Sequence, residues 1–288
     1  MATPLSADKL LKALRDEGLR VVEHRSWRTH NRNHKGAWGP VHGVMIHHTV
    51  TSGTQSSVDL CYDGHSALPG PLCHGVIAKD GSVHMVGHGR ANHAGLGDDD
   101  VLRAVIDEKA LPADNEANTD GNRSFYGFEC VNLGDGKDPW PAAQLEAIEK
   151  AAAAVCRAHG WNHRSVIGHK EWQPGKVDPR GFTMDSMRGR VRDRLAGRPD
   201  GPPPPATYEP FPGAAFFRAG RHSAVITAMG KRLVAEGCGR YEVGPGPDWS
   251  EADRASYAAW QRKLGYSGSG ADGIPGKASW DRLKVPNV

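Results

Sequence analysis

Two segments of the 288-residue chain place ligating side chains where an apolar strand is expected. One is Met45-Ile46-His47-His48-Thr49. The other is Ile167-Gly168-His169-Lys170-Glu171-Trp172, which continues through Gly175-Lys176-Val177-Asp178-Pro179. Two imidazoles and a carboxylate from separate elements make the three-ligand set of an open zinc site, whose fourth position takes water. Such an ion lowers the pKa of its water to about 7 and polarises a carbonyl, which is hydrolytic chemistry. Neighbouring residues of a strand point to opposite faces, so only one of His47 and His48 can face a site. The five cysteines, Cys61, Cys73, Cys130, Cys156 and Cys238, are odd in number, irregularly spaced and without a CxxC pair. They read as free thiols in a reducing compartment, not as a zinc ribbon or a disulfide framework.

The elements that must hold these residues alternate between strand and helix. Ser6 is placed to cap a helix carrying Leu10, Leu11, Leu14 and Leu19. Val41–Thr49 reads as a strand with Val44 and Ile46 on one face and Met45 and His47 on the other. The stretch 76–86 reads as a hairpin about Asp80-Gly81, and 125–133 as a further strand. A helix is expected over 141–159, opened by Pro141 and ended by Gly160, followed by a short buried strand at Val166-Ile167 and a helix over 186–196. This order predicts an α/β fold, a mixed central sheet with flanking helices.

Pro202–Pro205 cannot form helix interior or central strand and favour an extended spacer. They divide the chain into a first domain over 1–197, a linker over 198–207 and a second domain over 208–288. In the second, Ala224–Glu236, a helix capped by Ser250 with Asp253, and Lys277–Leu283 predict a small all-α three-helix domain. Its Tyr257, Trp260 and Trp280 are expected in the core and Trp249 at the surface. The formal net charge of +3 gives no case for a nucleic-acid-coating protein. No apolar run of about 18 residues is present, so no membrane insertion is expected. The start, Met1 to Ser6, has no basic or apolar leader region.

Taken in order, Ile46-His47-His48-Thr49, the hairpin after His74 with its Lys79-Asp80-Gly81 turn, Asn92-His93-Ala94-Gly95, Tyr126-Gly127-Phe128-Glu129 and the segment from Gly168 to Pro179 resemble the type 2 N-acetylmuramoyl-L-alanine amidases. That family includes phage endolysins, wall-recycling amidases and peptidoglycan recognition proteins. The resemblance covers roughly residues 40–180. It implies an amidase-like fold, a Zn2+ cofactor held by His47, His169 and Asp178, and hydrolysis of the amide between muramic acid and L-alanine in bacterial peptidoglycan. It favours His47 over His48 as the ligand, leaving His48 to packing or to support of the ligands. It implies Glu129 as the catalytic acid and base, Lys176 as the group that stabilises the oxyanion, and His93 and His74 as substrate contacts. For His74 a place filling the hairpin is the equal alternative. Cys73 stands where some relatives carry tyrosine, and Asn92 where an aromatic residue is common. Trp172 is expected to pack beneath the metal loop.

The stretch from Phe211 to Leu283 is similar to wall-binding modules of actinobacterial and actinophage lytic enzymes, and its Ala271–Gly276 turn resembles the Asp-Gly turn of helical peptidoglycan-binding repeats. The expected protein is thus a monomeric endolysin. Without a leader it would wait in the host cytoplasm and reach the wall after the membrane is permeabilised. Two alternatives are a non-catalytic peptidoglycan receptor, which needs no metal ligands, and a cytosolic recycling amidase, which needs no anchoring domain.

Overall fold

A computed structural model describes residues 2–201 and 208–288. The proline stretch Pro202–Pro205, with residues 206 and 207, lies outside the described residues, so the expected extended spacer does too. The chain divides into two compact units between residues 203 and 204.

The first unit is built on a six-stranded sheet. Its strands are β1 (Val21–Glu23), β2 (Gly43–His48), β3 (Gly75–Ile77), β4 (Val83–Met85), β5 (Phe125–Cys130) and β6 (Val166–Gly168). The spatial order is β1-β4-β3-β5-β2-β6. Only the β3–β4 hairpin is antiparallel; the other neighbours run parallel. The helices are α1 (Ala7–Asp16), α2 (Thr54–Asp63), α3 (Asp99–Ile106), α4 (Ala142–His159) and α5 (Met184–Ala196), with a short turn of helix at Gly121–Ser124. This is the expected mixed α/β sheet with flanking helices.

Local signals account for the helix ends. The Ser6 hydroxyl accepts the Lys9 N–H, and the Thr183 hydroxyl accepts the Ser186 N–H. Gly160 ends α4 at φ +72°, a left-handed conformation that favours glycine. Some expected boundaries move: β2 runs over Gly43–His48 instead of Val41–Thr49, β5 stops at Cys130 instead of Leu133, and α5 starts at Met184 instead of Ser186.

The sheet separates two apolar layers. Val44, Ile46, Tyr126, Phe128 and Val166 face α1, α4 and α5, packing on Leu10, Leu14, Ile148, Val155, Met187 and Val191. Met45, Phe125 and Ile167 face the opposite way, onto Val101 and Val105 of α3 and onto Trp172. Alternation along each strand then puts His47 and Glu129 on the Met45 face. His169 follows directly on β6.

Asp200 and Gly201, inside the stretch read as linker, are tied to the first unit. The Asp200 carboxylate lies 3.0 Å from the Lys150 ammonium and 3.2 Å from the Arg194 guanidinium, and the Gly201 N–H donates to the Asp16 carbonyl.

The second unit holds α6 (Ala224–Ala235), α7 (Glu251–Lys263) and α8 (Lys277–Leu283). Met229, Leu233, Tyr257, Trp260, Trp280 and Leu283 form its core. Ser250 and Asp253 cap α7 reciprocally. Trp249 departs from expectation. It is half-buried and packs on Phe217, with ring centroids 5.2 Å apart.

Candidate metal centre

Strands β5, β2 and β6 are adjacent and parallel, and in register His47 sits beside Glu129. Their carboxyl ends therefore present Glu129, His47 and His169 side by side, the position where parallel sheets usually hold ligands. His169 opens a single helical turn over His169–Glu171. Glu171 is no ligand. It accepts the Gly168 N–H and is gripped by both arms of Arg188 at 2.8 and 2.9 Å. The loop beyond is anchored by the Lys170 N–H, which donates to the Asp178 carbonyl at 2.7 Å, and by the Lys170 ammonium, which donates to the Pro179 carbonyl. These anchors return Asp178 to the strand ends.

Nδ1 of His47, Nδ1 of His169 and Oδ2 of Asp178 form a nearly equilateral triangle with edges of 3.0, 3.1 and 3.2 Å. Bonds of the usual zinc length, arranged tetrahedrally, space their donors by about 3.3 Å. The donor set therefore fits such an ion in both chemistry and size. Among the described residues this is the group of His, Cys, Asp and Glu atoms close enough to share one ion. His47 is 1% exposed and His169 5%. Burial, against the pull of Asp178, lowers the His47 pKa to about 4, so the ring is neutral and its nitrogen is free to ligate at neutral pH. Burial opposes the Asp178 charge, but the two imidazoles hold its carboxyl well below the usual carboxylate range.

The second nitrogen of each imidazole also has a partner. His169 Nε2 lies 3.3 Å from Oε1 of Gln173, and His47 Nε2 lies 3.1 Å from Nδ1 of His93. Partners of this kind fix the orientation of a ligating ring. Gln173 was not foreseen from the sequence, where a loop glutamine carries no distinguishing signal.

Glu129 lies on a central strand. Its Oε2 is buried without a hydrogen-bond partner. Burial, and to a smaller extent the Asp178 carboxylate, push its pKa up to about 8, while Lys176 pulls the other way. An unpartnered buried carboxylate oxygen is costly, and such groups concentrate where chemistry is done. Lys176 itself is exposed, and its charge bears on both Glu129 and His47.

The other candidates lie apart from the triangle. His48 is turned to the opposite side, where its Nδ1 accepts the Arg180 N–H and its ring leaves no room for a side chain at Gly134. His74, expected either at the substrate or filling the hairpin, has the surroundings of the second alternative. It is fully buried, its Nδ1 accepts the Gly127 N–H, and its Nε2 bonds the Gly89 carbonyl, so it fills the hairpin side and has no nitrogen left for a ligand. His93 was expected as a substrate contact. It stands behind His47, 8% exposed, with one nitrogen on His47 and the other 3.3 Å from the Phe125 carbonyl. Trp172 is fully buried, donates its indole N–H to the Ala94 carbonyl and packs on Phe125. The Cys73 thiol is buried, and burial pushes its pKa up, which leaves it inert as a nucleophile.

The N-acetylmuramoyl-L-alanine amidase family (Amidase_2) matches residues 37–181, a span that includes His47, Glu129, His169, Lys176 and Asp178. Similar solved structures include an endolysin, the N-acetylmuramoyl-L-alanine amidase LysCS from Clostridium intestinale URNW, at 14% identity, covering 60% of this chain and 96% of that one with a TM-score of 0.42. The N-acetylmuramyl-L-alanine amidase AmiD from E. coli is 17% identical and covers 88% of this chain and 91% of its own, with a TM-score of 0.40. The Ph2119 endolysin from a Thermus scotoductus MAT2119 bacteriophage is 15% identical over 60% of this chain and 99% of its own, also at 0.40. None of the curated proteins compared matches the chain.

Proposed function

The chain belongs to the N-acetylmuramoyl-L-alanine amidase family, and from that premise we propose that it hydrolyses the amide between the lactyl group of muramic acid and L-alanine in bacterial peptidoglycan, with zinc held by His47, His169 and Asp178. The observation that carries this reading is the triangle of three donor atoms at the ends of adjacent strands. An amide is a weak electrophile with a poor leaving group. Bound zinc would supply a water of lowered pKa and polarisation of the carbonyl. Glu129 would take the proton of the attacking water and return one to the departing nitrogen. Positive charge held among the three donors would favour its carboxylate form at the outset. Lys176 would stabilise negative charge growing on the carbonyl oxygen.

The second unit would hold the enzyme on the wall, giving an endolysin-like lytic protein. Its eleven Lys and Arg against eight Asp and Glu over 208–288 favour approach to an anionic wall. Tethering to an insoluble substrate raises the effective concentration of the catalytic unit without altering its chemistry.

Incubation with purified peptidoglycan is the test. New L-alanine amino termini are expected without new reducing ends, and reducing ends in their place would overturn the assignment. Glu129→Gln should lower turnover by about 10²- to 10⁴-fold while sedimentation on walls and metal content stay unchanged. Metal analysis should find one zinc per chain, lost in His169→Ala.

A further inference from the structure

His93 sits one ring behind the proposed ligand His47, and the contact between them has one reading. A His47 that offers Nδ1 to an ion must carry its proton on Nε2. That nitrogen lies 3.1 Å from Nδ1 of His93, with the rings nearly perpendicular at 88°. For Nδ1 of His93 to accept, the His93 proton must be on Nε2, where the Phe125 carbonyl lies at 3.3 Å. The tautomers of both rings are thus set by one backbone oxygen of β5.

We propose that His93 is a positioning residue of the metal centre, an imidazole that accepts the Nε2–H of His47 and so fixes the ring and tautomer that present Nδ1 to the ion. The inference rests on the metal-centre reading above. Metal-bound histidines commonly lean on a carboxylate, a carbonyl or water; here a second histidine fills that place.

The surroundings of His93 are built to hold it there. Oδ1 of Asn122 accepts the backbone N–H of both His93 and Ala94 at 2.8 Å each, which clamps the segment. Gly127 of β5 leaves the space the ring occupies. A Cβ at that position would stand 2.5 Å from Nδ1 of His93. On the far side the His74 ring meets His93 edge-on at 5.7 Å, and Trp38 stacks on His74 at 4.9 Å. The imidazole is therefore fixed from the backbone, from beneath and from behind.

The test uses the full chain loaded with zinc or, for its visible spectrum, cobalt. His93→Ala should weaken metal binding by about 10- to 100-fold in competition with a chelator and should change the cobalt spectrum. His93→Asn, whose side-chain oxygen can replace Nδ1 as acceptor, should recover much of that loss. Gly127→Ala keeps the imidazole but displaces it, and should also weaken binding. It gives an independent reading if His93→Ala folds poorly, as judged by circular dichroism. Unchanged metal affinity and spectrum in folded His93→Ala, with a raised KM on a soluble muropeptide, would overturn the proposal and return His93 to substrate contact. If the unaltered chain binds neither metal, the metal-centre reading fails first, and this inference fails with it.

Discussion

At the scale of single residues, the site depends on which nitrogen each histidine offers. His47 and His169 both turn Nδ1 inward and give Nε2 to a neighbour. Gln173→Ala removes the neighbour of His169 and should weaken zinc binding by about 10-fold with little loss of thermal stability, because the side chain is only half-buried. Chelator competition and a thermal melt check the two halves of that statement. That only one of His47 and His48 can face inward was legible from alternation along a strand; which of the two does so came from the family resemblance alone. The roles of His74 and His93 were not legible. Nothing in the letters says that the Gly89 carbonyl and the Gly127 N–H will occupy both nitrogens of one ring, or that Phe125 will orient the other. Such partners are set by tertiary approach of residues far apart in the chain.

At the scale of elements, the site depends on the pairing of β2 with its neighbours. Gly43 opens β2, and a Cβ there would come within 2.4 Å of the Ser165 carbonyl at the start of β6. Gly43→Ala should therefore push β6 away, lowering stability by about 1–3 kcal/mol, and should loosen metal binding, because His47 and His169 sit at the other ends of those strands. Denaturant melts and metal titration of the same variant test whether the losses occur together. The strands and helices that position the site could be read from apolar alternation, capping residues and the Asp80-Gly81 turn. Three other elements escaped. β1 is three residues long, too short to show a period. α2 buries only Ser57, Val58 and Cys61, so its apolar stripe is faint. α3 opens on Asp98-Asp99-Asp100, which resembles a loop by composition, although the Asp98 carboxylate caps the helix by accepting the N–H groups of Asp100 and Val101.

At the scale of the whole molecule, each unit has its own core. A chain ending after Gly201 keeps the ties of Asp200 and Gly201 to the first unit. It should retain turnover of a soluble muropeptide while lysing intact cells less well than the full chain. Equal lysis by both forms would count against anchoring by the second unit. Acid sensitivity is a further expectation. Burial lowers the His74 pKa to about 3, against about 6.5 when the chain is unfolded. The unfolded chain therefore binds this proton first. The stability from keeping His74 neutral is complete above about 6.5 and is lost as pH falls toward about 3, at about 1.4 kcal/mol per pH unit. Burial also lowers the pKa values of His47, His84 and His159 to about 4, so they add to the slope over the same range. Urea melts from pH 7 to 4, with chelator present to keep metal loss out of the comparison, should therefore show a slope that His74→Gln lowers by about 1.4 kcal/mol per pH unit. A slope unchanged by the substitution would refute the assignment to His74.

The three proposed ligands enter the polypeptide at positions 47, 169 and 178. A nascent chain halted on the ribosome before Asp178 owns at most two of them, and two donors hold a dication poorly against the chelating metabolites of a cell. Aborted translation products of the first unit should therefore lack the proposed activity, since the proposed centre closes only when nearly the whole unit has been synthesised.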